Sequence, residues 1–333
     1  MNKVYIYPTY NPQRDTSGNL YIKLFHDAFK NNCIVKNRKG LIGITSNLFN
    51  LDANIHIYQW IDLIPFKRYG IVQALIFLLS ILVVKSLRRK IVLVVHNKKT
   101  HKQPENIIDK IKLNIVNLLM NIVTSLADSI IVHAKEGTNF IRSKYPTTPK
   151  NKINHIHHPV YNNKLIKSKE IVWDYIIWGG ISRYKNIDSL IHEVLKSDIL
   201  SKRKFLICGK CKDLEYLEAI TDIIPDNVTF INEFITDDQL YDYISQSRSI
   251  LFTYKLDSVL SSGSLVYSIN FGKRIIGPNG GSFADLNGIV HTYNSMSDIE
   301  GIDIYTENKQ QYHLDYINMN RWETLPSKVL NTL

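Results

Sequence analysis

From Val4 onward, short β-branched runs alternate with longer stretches of helical periodicity. Candidate strands in the first half are Val4–Tyr7, Ile55–Tyr58, Ile91–Val95, Ser129–Val132 and Ile153–Ile156. Helical patterns fall near Leu20–Asn31, Ile71–Leu87, Ile107–Leu126 and Glu136–Lys144. After Pro159 a polar, lysine-bearing stretch, Tyr161–Glu170, lacks apolar periodicity and then gives way to the strand Ile171–Trp178. The linker is expected there. The second half repeats the alternation, with strands near Lys204–Ile207, Val228–Ile231, Ser249–Thr253 and Arg274–Ile276. Its helices are expected over Ile187–Lys196, Leu214–Ile224, Asp237–Ser245 and Ser264–Phe271.

Strands alternating with helices imply parallel sheets, so each half reads as a doubly wound, Rossmann-like α/β domain. The domains are expected over residues 1–160 and 171–314, and a return to the first domain is open for a C-terminal helix near 315–333. Two such domains facing each other form a cleft, and ligands of such sheets bind beyond the carboxyl ends of the strands. The loops that follow strands therefore carry the chemistry. The first of them, Pro8–Gly18, is long and polar and holds no Gly-x-Gly-x-x-Gly, which counts against a nicotinamide enzyme.

A length of 333 residues suits two cores. Lys and Arg outnumber Asp and Glu by 41 to 30, a net charge of +11 that favours anionic partners such as nucleic acid, lipid headgroups or phosphorylated substrates. A solubilising surface is the plain alternative. Nucleic acid is set aside: there are 19 tyrosines, but no binding motif and no basic stripe interleaved with aromatics. The three cysteines, Cys33, Cys208 and Cys211, are too few for a disulfide framework and fit a reducing compartment. Cys208-Gly209-Lys210-Cys211 reads as a strand end plus loop, since no second Cys/His pair stands at ligand spacing. The start, Met-Asn-Lys running directly into a strand, shows no leader, so a cytoplasmic location is expected. The longest apolar stretch, Tyr69–Val84, is interrupted by Gln73 and Ser80 and falls short of the ~20 residues a spanning helix needs. It reads as a buried helix, with a membrane-seated helix as the alternative.

Three glycine-bearing loops follow strands of the second half. In Trp178-Gly179-Gly180-Ile181-Ser182-Arg183-Tyr184-Lys185-Asn186, Gly179 and Gly180 let backbone approach a ligand. Arg183 and Lys185 stand there as cations for a diphosphate, and the alternative is a tight turn with solvated charges. In Ser261-Ser262-Gly263-Ser264, free amides at a helix start favour phosphate oxygens, and ordinary capping is the alternative. The third loop is Pro278-Asn279-Gly280-Gly281-Ser282-Phe283. Phe234, in the loop after Val228–Ile231, is a candidate to pack on a nucleobase, or to pack locally.

In the order Gly-x-x-x-x-x-Lys, loop aromatic, Ser-Ser-Gly before a helix, then Gly-Lys-Arg, the second half resembles the GT-B glycosyltransferases. The likeness covers most of the chain. Val94-Val95-His96-Asn97-Lys98-Lys99-Thr100-His101 is similar to the His-Asn-x-x-x-His loop of bacterial transferases acting on lipid-linked acceptors, and His158-Pro159-Val160-Tyr161 to their hinge-side His-Pro-x-Tyr. The resemblance implies that Lys185 and Arg183 hold the donor diphosphate and that Ser262, Gly263 and Ser264 contact its phosphates. It departs at one motif. Many retaining members carry two glutamates across the Ser-Gly element, where this chain has Val259 and Tyr267, closer to the divergent branch that contains inverting enzymes.

The expected function is transfer of a sugar from a nucleotide-sugar donor to a lipid-linked or oligosaccharide acceptor in capsular or exopolysaccharide synthesis, at the inner face of the cytoplasmic membrane. Cations of the protein would offset the leaving diphosphate, so neither cofactor nor metal is expected. Asp15, His96 and His101 are the candidates for the base that deprotonates the acceptor, with capping of the helix near Asn19 the other reading of Asp15. Lys110, Lys112, Ile111, Ile115, Leu118 and Leu119 on one helix offer peripheral contact with anionic lipid, or simply an amphipathic face packed on the sheet. The alternatives are a nucleotide-sugar epimerase of the same fold and a non-catalytic glycan-binding member.

Overall fold

The computed structural model describes residues 1–11, 19–98, 106–161, 165–255, 260–305, 308 and 310–333. The chain divides into two compact units, Met1–His158 with Trp322–Leu333, and Pro159–Arg321.

The first unit is built on β1 (Lys3–Tyr7), β2 (Ile34–Lys36), β3 (Ile55–Gln59), β4 (Lys90–Val95), β5 (Ser129–Val132) and β6 (Ile153–His155). All pairings are parallel, in the order β2-β1-β3-β4-β5-β6. The central strands are buried on both faces, all five positions of β3 included, as crossover helices on each side require. The helices are α1 (Leu20–Lys30), α2 (Gly70–Ser86), α3 (Ile107–Leu126) and α4 (Lys135–Lys144). The Asn19 side chain caps α1 by accepting from the Tyr21 amide. One face of the sheet is covered by α1 and by the returning segment Trp322–Leu333, whose Trp322, Leu325 and Val329 join Tyr21, Phe25 and Phe29 in one core. Each fully buried Leu or Val there is worth about 1.5–3 kcal/mol.

The second unit carries β7 (Trp173–Trp178), β8 (Phe205–Cys208), β9 (Val228–Ile231), β10 (Ser247–Leu251), β11 (Arg274–Pro278) and β12 (Val290–Tyr293), parallel throughout in the order β12-β11-β10-β7-β8-β9. Counted from β7 this is the doubly wound order 3-2-1-4-5-6, which reverses direction between β7 and β10. Helices α5 (Ile187–Lys196), α6 (Leu214–Thr221), α7 (Asp237–Ser245) and α8 (Gly263–Ile269) accompany it, and a separate apolar core fills each face of the sheet.

Several expectations need correction. Residues expected as a linker already belong to the second unit: Ile166 N–H donates to Phe271 O, and Lys169 N–H to Ser245 O. The tail expected as one helix near 315–333 is two, Gln310–Met319 in the second unit and Leu325–Leu330 in the first. Helix α2 is buried on one side only. Of the apolar positions picked out on α3, Leu119 lies in the core while Ile111 and Leu118 are exposed.

Candidate functional site

In the second unit the switch between β7 and β10 gathers most of the residues expected to bind a donor. β7 ends at Trp178 and the chain turns through Gly179 at φ +89°. A Cβ at Gly179 would lie 3.1 Å from Lys185 Nζ and 3.7 Å from Ser264 Oγ, so glycine is needed here both for its left-handed backbone and for the space. A short turn over Arg183–Lys185 then carries Lys185 into the interior. Its side chain is only 2% exposed. The ammonium donates to Trp178 O at 2.7 Å and lies 5.7 Å from the centroid of the Tyr254 ring. Thr253 Oγ1, just past β10, donates to Lys185 O. Burial pushes the Lys185 ammonium down to about 8.

An ammonium has three protons to give, and among the described residues Lys185 places one hydrogen bond. The groups around it include hydroxyls, which can donate to an anion. The Tyr254 hydroxyl, its pKa raised by burial, is hydrogen-bonded with Ser262 and Ser264. Ser262 caps α8 by accepting from Leu265 N–H at 3.2 Å. Among the described residues, no atom comes within 4 Å of a Cβ built on Gly263. Nearby in the chain, Ser261 and Ser282 each hold a buried hydroxyl without a partner among the described residues, and Ser282 N–H donates to Leu260 O at 2.8 Å.

In the first unit, a cavity of about 340 Å³ lies beyond the ends of β3 and β4. It is lined by Asp62, His96, Asn117, Met120, Phe140 and Tyr145 among others. His96 follows β4, and its ring stacks on Trp60 with centroids 4.1 Å apart and planes at 8°. Its Nε2 is 3.0 Å from Gln59 Oε1, so Nε2 carries the proton and Nδ1 is bare. Burial, and then the neighbouring His133 and His158, hold the ring far below the usual imidazole range. It is neutral. His133 repeats the pattern deeper in: Nδ1 donates to Ile156 O, Nε2 accepts from the Tyr21 hydroxyl, both at 2.8 Å, and burial brings it to about 3.

Asp62, three residues past β3 and half-buried, was not picked out from the sequence. Burial raises its carboxyl, while its own backbone, Lys144 and Lys67 pull it back down. A carboxylate just beyond a strand end was the available signal; its burial depends on α3 and α4 and is invisible in the chain.

No family model matches the chain, and no curated protein sequence matches it. Among solved structures, the lipopolysaccharide outer core galactosyltransferase WaaB in its apo form is similar at a TM-score of 0.63, 11% identity and full coverage of both chains. The Anabaena protein HepE, solved with UDP, matches at 0.61, again with 11% identity and full coverage of both. AviGT4, a glycosyltransferase of avilamycin A biosynthesis, matches at 0.57 and 11%, covering 100% of this chain and 97% of its own. The fold is GT-B.

Within this GT-B frame the expected site residues fall into groups. Gly179, Lys185, Ser262 and Ser264 come together, with Gly263 at the open start of α8 and Ser261 beside them in the chain. Gly180 is roomy, the nearest atom to a Cβ there being Lys210 O at 3.9 Å. Arg183 goes elsewhere: its Nε donates to Asp213 at 2.8 Å, its NH2 to Glu215 at 2.7 Å, and it lies over the Tyr216 ring. Its charge is met by two carboxylates and is not free as a second cation beside Lys185. Phe234 is 82% exposed, a side chain turned to solvent with none of the local packing considered for it. His96 lines the first-unit cavity, whereas Asp15 and His101 lie outside the described residues.

Proposed function

We propose that this chain is a glycosyltransferase that moves a sugar from a nucleotide-sugar donor to a glycan acceptor carried on lipid, in the synthesis of a surface polysaccharide. The buried, under-bonded ammonium of Lys185 at the β7/β10 switch point is the observation that supports this reading most. A desolvated cation with spare protons has no structural purpose that an apolar residue would not serve better, and a diphosphate supplies the missing partners. UDP, bound in Anabaena HepE, is the first nucleotide to test.

In this scheme the second unit holds the donor. As the sugar–phosphate bond breaks, negative charge builds on the diphosphate, and Lys185 with the hydroxyls of Ser262 and Ser264 offsets it, without a metal ion. The first unit holds the acceptor, with the attacking hydroxyl in the Asp62–His96 cavity. A carboxylate raised by burial is a better base than an ordinary one, whereas His96 is made a poorer base by the same burial. We therefore favour Asp62 over His96, with Asp15 and His101 retained as candidates; Val259 and Tyr267 in place of the paired glutamates lean towards inversion at the anomeric carbon.

The test is a thermal-shift panel of UDP, GDP, dTDP and CMP sugars, followed by product analysis with and without a lipid-linked acceptor. A ligand that binds only the folded form raises the melting temperature. A shift with one nucleotide, transfer only when acceptor is present, and turnover unchanged by a chelator are expected. Turnover of the donor alone would instead indicate an epimerase or hydrolase, and activity restored by Mg²⁺ after chelation would overturn the metal-free scheme.

A further inference from the structure

Helix α2 is apolar on both faces: Ala74, Phe77, Ile81 and Val84 are buried, and a second set of apolar residues is exposed. Its two polar side chains within the apolar run, Gln73 and Ser80, are both buried. Gln73 Nε2 donates to Arg68 O at 2.7 Å and its Oε1 accepts from Ile44 N–H, while Ser80 Oγ accepts from Asn47 Nδ2 at 2.7 Å and donates to Phe77 O. Toward solvent the same helix turns Val72 (55% exposed), Leu75 (58%), Leu79 (66%) and Leu82 (55%). Residues at this spacing form one stripe, about 15 Å long at 1.5 Å per residue. Helix α3, which packs on α2, adds exposed Ile107 and Ile111. Such apolar patches on a protein surface mark contact with a partner or a membrane.

The charges around the stripe choose the occupant. From Leu63 to Pro104 the sequence contains no Asp or Glu. Exposed Lys67 and Arg68 stand just before the helix, and exposed Arg88 just after it. Lys85 and Lys90 are turned to Asp128. A second copy seated on this face through a two-fold axis would set the same cations against each other. An anionic lipid surface meets them with opposite charge and takes up the leucines. The helix, at 17 residues, is below the span of a bilayer, and no helix among the described residues is long and apolar enough to cross one.

We infer that α2 is the membrane-seating element of this protein, lying in the plane of an anionic bilayer with Val72, Leu75, Leu79 and Leu82 in the acyl boundary and Arg68 and Arg88 at the headgroups. This deepens the reading of a lipid-carried acceptor and rests on it for its purpose, while the binding itself is measured without any transfer reaction.

The experiment is co-flotation of the full chain with vesicles of phosphatidylglycerol in phosphatidylcholine, and with phosphatidylcholine alone, at low and raised salt. The unmodified protein is expected to float with the anionic vesicles and much less with the neutral ones. The double variant Leu75→Gln, Leu79→Gln is expected to lose about tenfold or more in partitioning, the scale of two half-buried leucines, with its melting temperature unchanged. Arg68→Gln with Arg88→Gln is expected to weaken binding at low salt only. No flotation of the unmodified chain on anionic vesicles, or equal flotation of the leucine variant, would overturn the inference, as would a dimer in solution that the leucine variant dissociates. Flotation without any nucleotide-sugar thermal shift would leave this surface standing and sink the transferase reading, and the reverse result would sink the surface alone.

Discussion

The two six-stranded sheets share parallel pairing and helical cover, yet they differ in strand order and in what gathers beyond their strand ends. The second unit, in the order 3-2-1-4-5-6 from β7, reverses between β7 and β10 and sets a buried cation among glycines and serines. The first unit reverses between β1 and β3, and beyond β3 and β4 it presents stacked aromatic and imidazole rings and a carboxyl raised by burial. In the proposed scheme the end of the second unit meets the negative charge of the leaving nucleotide. In the same scheme the end of the first unit draws a proton from the acceptor hydroxyl. On the proposed reading, two parallel sheets of different strand order serve two kinds of chemistry through the residues their loops place beyond the strand ends.

The largest test of this division is Asp62→Asn. Loss of a general base costs about 10²–10⁴ in turnover, and here the donor-induced thermal shift is expected to survive. A turnover within a few-fold of normal would remove Asp62 from the chemistry. The next concerns how each unit is assembled, since only the first is built from two chain segments. Trp322→Ala removes a ring that is 7% exposed and in edge contact with Tyr21 at 5.2 Å. It should cost about 3–5 kcal/mol of first-unit stability, read by denaturant unfolding, with UDP binding by the second unit kept.

Lys185→Ala is the counterpart of the Asp62 change. Removing one preorganised donor from a developing anion costs about 10²–10³ in rate, and the donor-induced thermal shift should vanish with it. Arg183→Gln, whose charge is already met by Asp213 and Glu215 on the exposed surface, is expected to change donor affinity by less than about threefold. Equal losses from both variants would mean that Arg183 leaves its carboxylates to join the diphosphate.

The remaining effect is a graded one of pH. Burial holds Lys185 at about 8 against an ordinary 10.5, so between those values the folded protein binds fewer protons than the unfolded chain. The contribution of this group to stability therefore rises with pH across that window. Diphosphate affinity runs the other way, because it needs the ammonium, and should fall by up to about tenfold per pH unit above about 8. Calorimetric titration of UDP on either side of that value reads it; an affinity flat across it would detach Lys185 from the phosphates.

The alternation of strands and helices was legible because buried parallel strands are nearly continuous apolar runs. Strands β2 and β12 were not, and both lie at sheet edges: Ile34 is exposed, and His291 and Thr292 face solvent. β2 is three residues long and β12 buries only its end residues, so neither offers a continuous apolar run. Lys185 was visible from its spacing to Gly179, which fixes a local turn. The fate of Arg183 was not, since Asp213 and Glu215 stand some thirty residues away and reach it only through the packing of α6. For α2, the apolar run predicts a helix but not which side of it is covered, and Gln73 and Ser80, which look outward-facing in a sequence, hydrogen-bond inward.

Where the chain enters the second unit and where it leaves, the backbone is paired: Val160 N–H donates to Asn320 O at 2.8 Å, and Val160 bridges Arg321. The second unit is thus one uninterrupted block spliced into the first, with its entry and exit side by side. That layout makes it an exchangeable cassette. Only two junctions, at His158/Pro159 and Arg321/Trp322, join the second unit to the first, whose closing segment stays part of its own chain framework when the inserted block is exchanged.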